Sequence, residues 1–287
     1  MGNENKPTAL SAYDSVLRYG WAALDAQRLD EAERIAREVL SRHPQHPGAL
    51  HLFGVVLLVL HREAVEPLGQ AARDTTDPVL ETHYALALRD VGRKDEAIEW
   101  LTRAISRRPV FAPAFHELGC ILCGLRRYDE AEAVLKQGVE LAPLVMELSV
   151  ELGGVYICRA DPANARIAFA RALALAPDHA RALHGSGTAF LFEGEFERAA
   201  DQFRKVLALN PDHLRARLDL AHCLLELGRF EAGVTELRTV VRTAPQHYGM
   251  ALKVLASSRR GRIWLRPSGA AAYLQLLDGT TAVSSPP

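Results

Sequence analysis

Between Tyr13 and His247 the apolar and polar positions repeat on a 34-residue beat. Leu173-Ala174-Leu175-Ala176-Pro177-Asp178-His179-Ala180 and Leu207-Ala208-Leu209-Asn210-Pro211-Asp212-His213-Leu214 are two copies of one helix end, one period apart. Pro109, Pro143, Pro177, Pro211 and Pro245 keep the same 34-residue spacing, as do Pro44 and Pro78. Proline has no N–H to continue a helix and biases the residue before it to extended backbone, so Pro143, Pro177, Pro211 and Pro245 each end a second helix. Gly92, Gly194 and Gly228 mark a turn inside the unit. Asp95, Glu96, Glu195 and Glu231 follow near a new helix N-terminus, where negative charge meets the positive end of the dipole. Each unit therefore predicts two amphipathic helices, and such a period signals a repeat array.

Within a unit, small and large residues alternate in fixed slots. Leu152-Gly153-x2-Tyr156 is followed by Ala165-x3-Phe169 and Pro177, and Gly187-x2-Phe190 by Ala199-x3-Phe203 and Pro211. Leu118-Gly119-x2-Leu122 leads to Ala131-x3-Leu135 and Pro143; Tyr84-Ala85-x2-Leu88 leads to Ala97-x3-Leu101 and Pro109. Small residues such as Gly119, Gly153, Ala165 and Ala199 let two helices approach closely, and the large slots fill the space between turns. These residues resemble the tetratricopeptide-repeat family, whose unit carries W-x2-L-G-x2-Y, then A-x3-F, then P. The resemblance implies an all-α, right-handed superhelical solenoid of antiparallel helix pairs. Seven repeats are expected at residues 13–46, 47–77, 78–111, 112–145, 146–179, 180–213 and 214–247. Residues 1–12 precede them as an extension.

The second unit is irregular, because Gly54 to Ala64 is 10 residues where Gly20 to Ala32 and Ala85 to Ala97 are 12, which predicts an internal turn two residues short. Pro67 and Gly69 then fall early in its second helix. Beyond Pro245, residues 248–277 are expected to hold a solvating cap helix from Tyr248 and an arginine-rich segment around Trp264. A solenoid needs such a cap because its last repeat otherwise exposes an apolar face. The tail, residues 278–287, is expected to be disordered.

Composition narrows the classes of function. The chain is 48% hydrophobic with a net charge of −1, so it has ample core and no basic field for nucleic acid or anionic membranes. Met1 to Thr8 is polar, and the apolar run Val55 to Leu60 is far shorter than a membrane span, so no export and no membrane insertion are expected. Four cysteines, Cys120, Cys123, Cys158 and Cys223, cluster mid-chain without the density of a disulfide scaffold and fit a cytoplasmic protein.

No catalytic motif emerges, and neither an enzyme nor a cofactor is expected. His116-Glu117-Leu118-Gly119-Cys120 has Cys where a zinc protease needs its second His, and Gly185-Ser186-Gly187-Thr188 lacks the third glycine of a dinucleotide fingerprint. His116, Cys120 and Cys123 share one helix face, but residues i and i+7 stand about 10.5 Å apart along the axis, too far for one ion at about 2.0 to 2.3 Å. A metal or redox use of Cys120, Cys123 and Cys158 is the least favoured alternative, and no metal site is assigned.

In the resembled family the first helix of each repeat lines a concave surface. The corresponding positions are Leu17, Trp21 and Leu24; His51, Val55 and Leu58; Thr82, Leu86 and Arg89; His116, Cys120 and Cys123. They continue as Val150, Gly154 and Ile157; His184, Thr188 and Leu191; Leu218, His222 and Leu225. The candidate partner-binding residues are Trp21, His51, Val55, Leu58, Thr82, Leu86, Arg89, His116, Cys120, Val150, His184, Thr188, Leu191 and His222. Only Arg89 among these positions carries a fixed charge. The lysine, arginine and asparagine clamp of chaperone-tail binders and the asparagine ladder of sugar-transferase arrays are both missing. An apolar groove dotted with histidine suits a peptide or amphipathic helix of a partner protein. Acidification would then charge up to four of its histidines, His51, His116, His184 and His222. A self-associating structural oligomer is the other reading.

Overall fold

A computed structural model describes residues 13–257 and Leu274. The N-terminal extension, the arginine cluster around Trp264 and the tail from Asp278 lie outside the described residues. Fifteen α-helices and no strand occur among the described residues. They pair as α1 (Asp14–Asp25) with α2 (Leu29–Arg42), α3 (Pro47–Val59) with α4 (Val65–Ala72), α5 (Pro78–Asp90) with α6 (Lys94–Ser106), and α7 (Ala112–Gly124) with α8 (Tyr128–Leu141). Then come α9 (Met146–Cys158) with α10 (Pro162–Leu175), α11 (Ala180–Phe192) with α12 (Phe196–Leu209), and α13 (Leu214–Glu226) with α14 (Phe230–Thr243). A short 3-10 turn, Pro245–His247, leads into α15 (Tyr248–Ser257). The contacts form two compact units, Met1–Pro143 and Leu144–Pro287, each a stack of helix pairs.

Each pair closes in the same way. Gln27, His61, Gly92, Arg126, Ala160, Gly194 and Gly228 follow the end of the first helix, all with φ between 53° and 83°. There the chain reverses through a left-handed residue whose neighbour donates back to the helix, as Arg93 N–H does to Leu88 O at 2.8 Å and Arg127 N–H to Leu122 O at 2.9 Å. The geometry holds in all seven repeats although only three use glycine, because the packing on both sides fixes the turn.

Starts are specified too. Asp77 and Asp161 cap α5 and α10 through their carboxylates. Histidine does the same in three places: the Nδ1 atoms of His46, His179 and His213 accept from the N–H of Ala49, Ala182 and Ala216 at 3.1 to 3.3 Å. The recurrent histidine after the helix-ending proline is thus a cap.

The small slots are filled as the sequence implies. A Cβ on Gly119 would lie 2.6 Å from Leu135, one on Gly153 2.6 Å from Phe169, and one on Gly187 2.7 Å from Phe203. Gly187 is therefore a packing residue.

The second repeat departs from expectation. Its turn, residues 60–64, is longer than the three residues that join most of the other pairs, and the deletion falls on α4, which has 8 residues against 13 or 14 in its counterparts. Ala64 keeps its buried slot but becomes the N-cap. Pro67 sits in the first turn, where its missing N–H costs nothing. At the other end, α15 packs on α13 and α14, and Ala251, Leu255 and Leu274 close a cluster with Leu218, Ala221, Leu225 and Leu237.

Candidate functional site

Within each unit the first helices of neighbouring repeats touch one another, α1 with α3, α3 with α5 and α5 with α7 in one, α9 with α11 and α11 with α13 in the other. No second helix contacts the next second helix to the same degree. The first helices therefore form the inner layer of each unit, and their free faces are the candidate surface.

In the first unit this face begins at Trp21, whose ring stands edge-on to His51 at 4.9 Å. A hollow of about 580 Å³ lies beside it, bordered by Leu17, Arg18, Trp21 and Gly48. His51 Nε2 lies 2.7 Å from His83 Nδ1. Burial holds the His51 imidazole neutral down to about 3, helped by the neighbouring His83, and burial pulls His83 down as well. A shared proton between two neutral rings explains the short contact: one nitrogen donates and the other accepts. Acidification to pH 6 therefore leaves His51 uncharged, which corrects the expectation of four titrating groove histidines. Leu58 and Leu86 are half-buried, whereas Val55 is 9% and Thr82 1% exposed. The Thr82 hydroxyl donates to Pro78 O at 2.6 Å, so this residue is spent inside the fold.

Further along, Arg89 Nη1 donates to Glu117 Oε2 at 2.5 Å and its Nη2 to Asp90 at 2.9 Å. Burial pushes the Glu117 carboxyl up, but His116 and the Arg89 charge outweigh it and hold it below the usual range. Cys120 Sγ stands 3.8 Å from His116 Nε2, and both side chains are half-buried.

In the second unit Val150 is buried, Ile157 and Leu191 are half-buried, and open space lies in front of Gly154. Glu151 pairs with Arg181. His184 Nε2 is 3.1 Å from Asp219 Oδ2, which also accepts from Arg215 Nε at 3.0 Å. Thr188 Oγ1 donates to His184 O at 3.0 Å, and His222 Nε2 lies 3.7 Å from Glu226. Leu218 and Leu225 are buried, and Cys223 beside them is fully enclosed, its thiol pushed up to about 12 by burial and then by the Asp219 charge. Cys158 is exposed at the end of α9, and all four cysteines are free thiols.

The groove positions thus divide into half-buried side chains that face outward and buried ones that hold the helices together. Charge reasoning missed His83, Glu117, Glu151 and Asp219, each one residue after the first groove slot of its repeat. Their signal was available, since that position is a histidine or an acid in four of the seven repeats. The inner layer is consequently a mixed surface in which every one of these acids meets a base. Such a layer has apolar patches to bury and ion pairs to orient a bound chain.

Sequence profiles of the tetratricopeptide repeat match residues 14–46, 82–111, 116–180 and 190–256, together about two thirds of the chain. No curated protein matches the sequence. Among solved structures, a chain of the APC/C hetero-tetramer Cut9–Hcn1 superposes with a TM-score of 0.66 at 19% identity, over 86% of this chain and 49% of that one. The protein thus spans about half the length of that relative. The type IV pilus biogenesis factor PilW gives a TM-score of 0.64 at 16% identity, over 70% of this chain and 94% of its own. YrrB, described as a TPR protein with an unusual peptide-binding site, gives 0.52 at 19% identity, over 63% and 95%. At these identities the likeness is one of fold.

Proposed function

Because the chain belongs to the tetratricopeptide-repeat family, whose helix stacks serve as protein-interaction scaffolds, we propose that it is a non-catalytic adaptor that holds a peptide or helix of a partner protein against its inner helix layer. The observation that carries this reading is the set of half-buried apolar side chains, Trp21, Leu58, Leu86, Ile157 and Leu191, on the free faces of first helices. The core is complete without their outer surface, and covering it would contribute about 25 cal/mol per Å². Backbone and side-chain polarity of the bound segment would meet the ion pairs Arg89–Glu117 and Arg181–Glu151 at the rim. YrrB shows by its description that a peptide can bind a fold of this kind. No helix among the described residues is long and apolar enough to cross a membrane, which is compatible with work in the cytoplasm.

The test is photo-crosslinking from single inner-layer positions. A benzophenone side chain placed at Leu86 or Leu191 should attach a defined partner segment that one placed at the outer position Glu99 or Arg204 does not. Equal labelling from inner and outer positions would remove the groove from consideration.

A further inference from the structure

In the first unit two imidazoles from different repeats converge on one point. His51 Nε2 of α3 and His83 Nδ1 of α5 stand 2.7 Å apart, and the two helices touch. The second unit fills the same cross-repeat register differently. His184 of α11 takes the slot of His51 and Asp219 of α13 the slot of His83, and there the ring nitrogen meets a carboxylate oxygen at 3.1 Å. A histidine opposite an acid makes a charge-assisted hydrogen bond in which the carboxylate can only accept. Between His51 and His83 the acid is replaced by a second imidazole, so the register offers two nitrogen ligands.

Both facing lone pairs can be freed. Each neutral ring carries one proton, and neither His51 Nδ1 nor His83 Nε2 is a buried nitrogen without a partner, so the protons can sit on these outer atoms without stranding an N–H. Geometry then selects the ion. Nitrogen ligands hold a divalent ion at about 2.0 to 2.1 Å, so two of them stand about 2.9 Å apart at a right angle and about 3.3 Å apart at a tetrahedral one. From 2.7 Å the first needs an opening of about 0.2 Å and the second about three times as much. Nickel(II) and copper(II), which favour tetragonal nitrogen sites, therefore fit with the least movement. No third histidine, cysteine or acid among the described residues brings a ligand atom within 4.8 Å of both nitrogens, so water fills the remaining positions. Both rings are only half-buried, which lets that water in.

We propose that His51 Nε2 and His83 Nδ1 form a two-histidine site for a divalent transition-metal ion of tetragonal preference, nickel(II) or copper(II), which clips the second repeat to the third. The ligands come from separate helices that the fold already holds together, so little ordering is needed on binding. Two protein ligands bind more weakly than the four of a structural zinc site, with a dissociation constant of about 1 to 100 μM. The site is independent of the inner-layer reading, because it needs no partner protein.

Isothermal titration of the full chain with nickel(II) chloride tests it. Nickel is the probe because copper(II) can oxidise the exposed Cys158 thiol. His51→Asn should weaken the tightest equivalent at least about tenfold, whereas His61→Asn, on an exposed turn, should bind as wild type does. His83→Asp recreates the His184–Asp219 pairing, so the helices should stay packed and circular dichroism unchanged. It should also bind at least about tenfold more weakly, since a carboxylate is a poorer partner than imidazole for these ions. Nickel should raise the urea midpoint of wild type and leave that of His51→Asn where it was. Wild-type affinity in His51→Asn or His83→Asp, zinc(II) binding more tightly than nickel(II), or no binding to wild type below about 1 mM would each overturn the proposal.

Discussion

The Phe169 ring occupies the space that a Cβ on Gly185 would need, its Cζ lying 2.2 Å from that position. The same ring stands 2.6 Å from the Cβ position of Gly153, so one aromatic side chain from α10 locks α9 and α11 at once. Gly185→Ala should destabilise the protein by about 1 to 3 kcal/mol in urea unfolding, because a fully packed ring has nowhere to move. Phe169→Leu combined with Gly185→Ala should recover part of the loss, the signature of a direct steric pair. An additive double variant would place the cost elsewhere.

At Ala160 the backbone takes φ 56° on an exposed turn, where a side chain with a Cβ costs about 1 kcal/mol. Ala160→Gly should raise stability by about 0.5 to 1 kcal/mol even though glycine loses more entropy on folding. The same change at the exposed Ala170, in the middle of α10, should instead cost about 1 kcal/mol. Thermal unfolding of the two variants would separate backbone geometry from a general effect of glycine.

These positions mark how far the sequence could be read. Prolines at every 34 residues and the glycine and alanine slots gave helix number and pairing, since those residues act through local backbone chemistry and close packing. The turn at Ala160 was not legible, because a left-handed non-glycine residue is held by its surroundings. Neither was the fate of the missing residues in the second repeat: counting from Gly54 to Ala64 cannot say whether turn or helix absorbs a deletion, and the loss of the first turn of α4 decided it. In the candidate site, the slots were legible by register, but Thr82 and Val150 are buried, and His83 and Asp219 join the face through contacts 32 and 35 residues away.

The half-buried His51–His83 pair makes stability depend on pH in a defined direction. The unfolded chain takes up a proton on His51 near 6.5, whereas the folded chain does so only near 3. Between these values the unfolded state holds more protons, so stability is full above about pH 6.5 and falls on acidification, by up to about 1.4 kcal/mol per pH unit for this residue. His83 is shifted the same way and adds to the slope. His51→Asn should flatten the dependence of urea midpoint on pH between about 6.5 and 4 relative to wild type. An unaltered slope would mean that other groups carry it.

Ala251 and Leu255 of α15 are buried on α13 and α14 together with Leu274. Removing residues from Tyr248 onward should expose Leu218, Leu225 and Leu237, all now nearly solvent-free, and lower the melting temperature while promoting aggregation. Leu255→Ala, which deletes one buried side chain and keeps the cap, should cost about 2 to 4 kcal/mol in a unit that still folds. Equal melting of the truncated and full chains would show that α15 is dispensable to the last repeat.

For the groove, burial dictates which substitutions are informative. Val55→Asp would place a carboxylate in the core and unfold the first unit, so loss of binding there means nothing. Leu86 and Leu191 are half-buried on free faces, and Leu86→Asp and Leu191→Asp should leave the helical signal intact. Each should weaken capture of the crosslinked partner segment at least about tenfold, because the bound chain would desolvate the new carboxylate, and Arg89, one turn from position 86, is already engaged by Glu117 and Asp90. Salt should matter only moderately for the wild type, since Glu117, Glu151 and Asp219 already have bases in hand and apolar contact supplies most of the affinity. Isothermal titration of the segment at about 0.05 and 0.5 M salt checks both points. Full affinity in the two aspartate variants, or a collapse of wild-type binding at the higher salt, would show that the partner is held through charge at another surface.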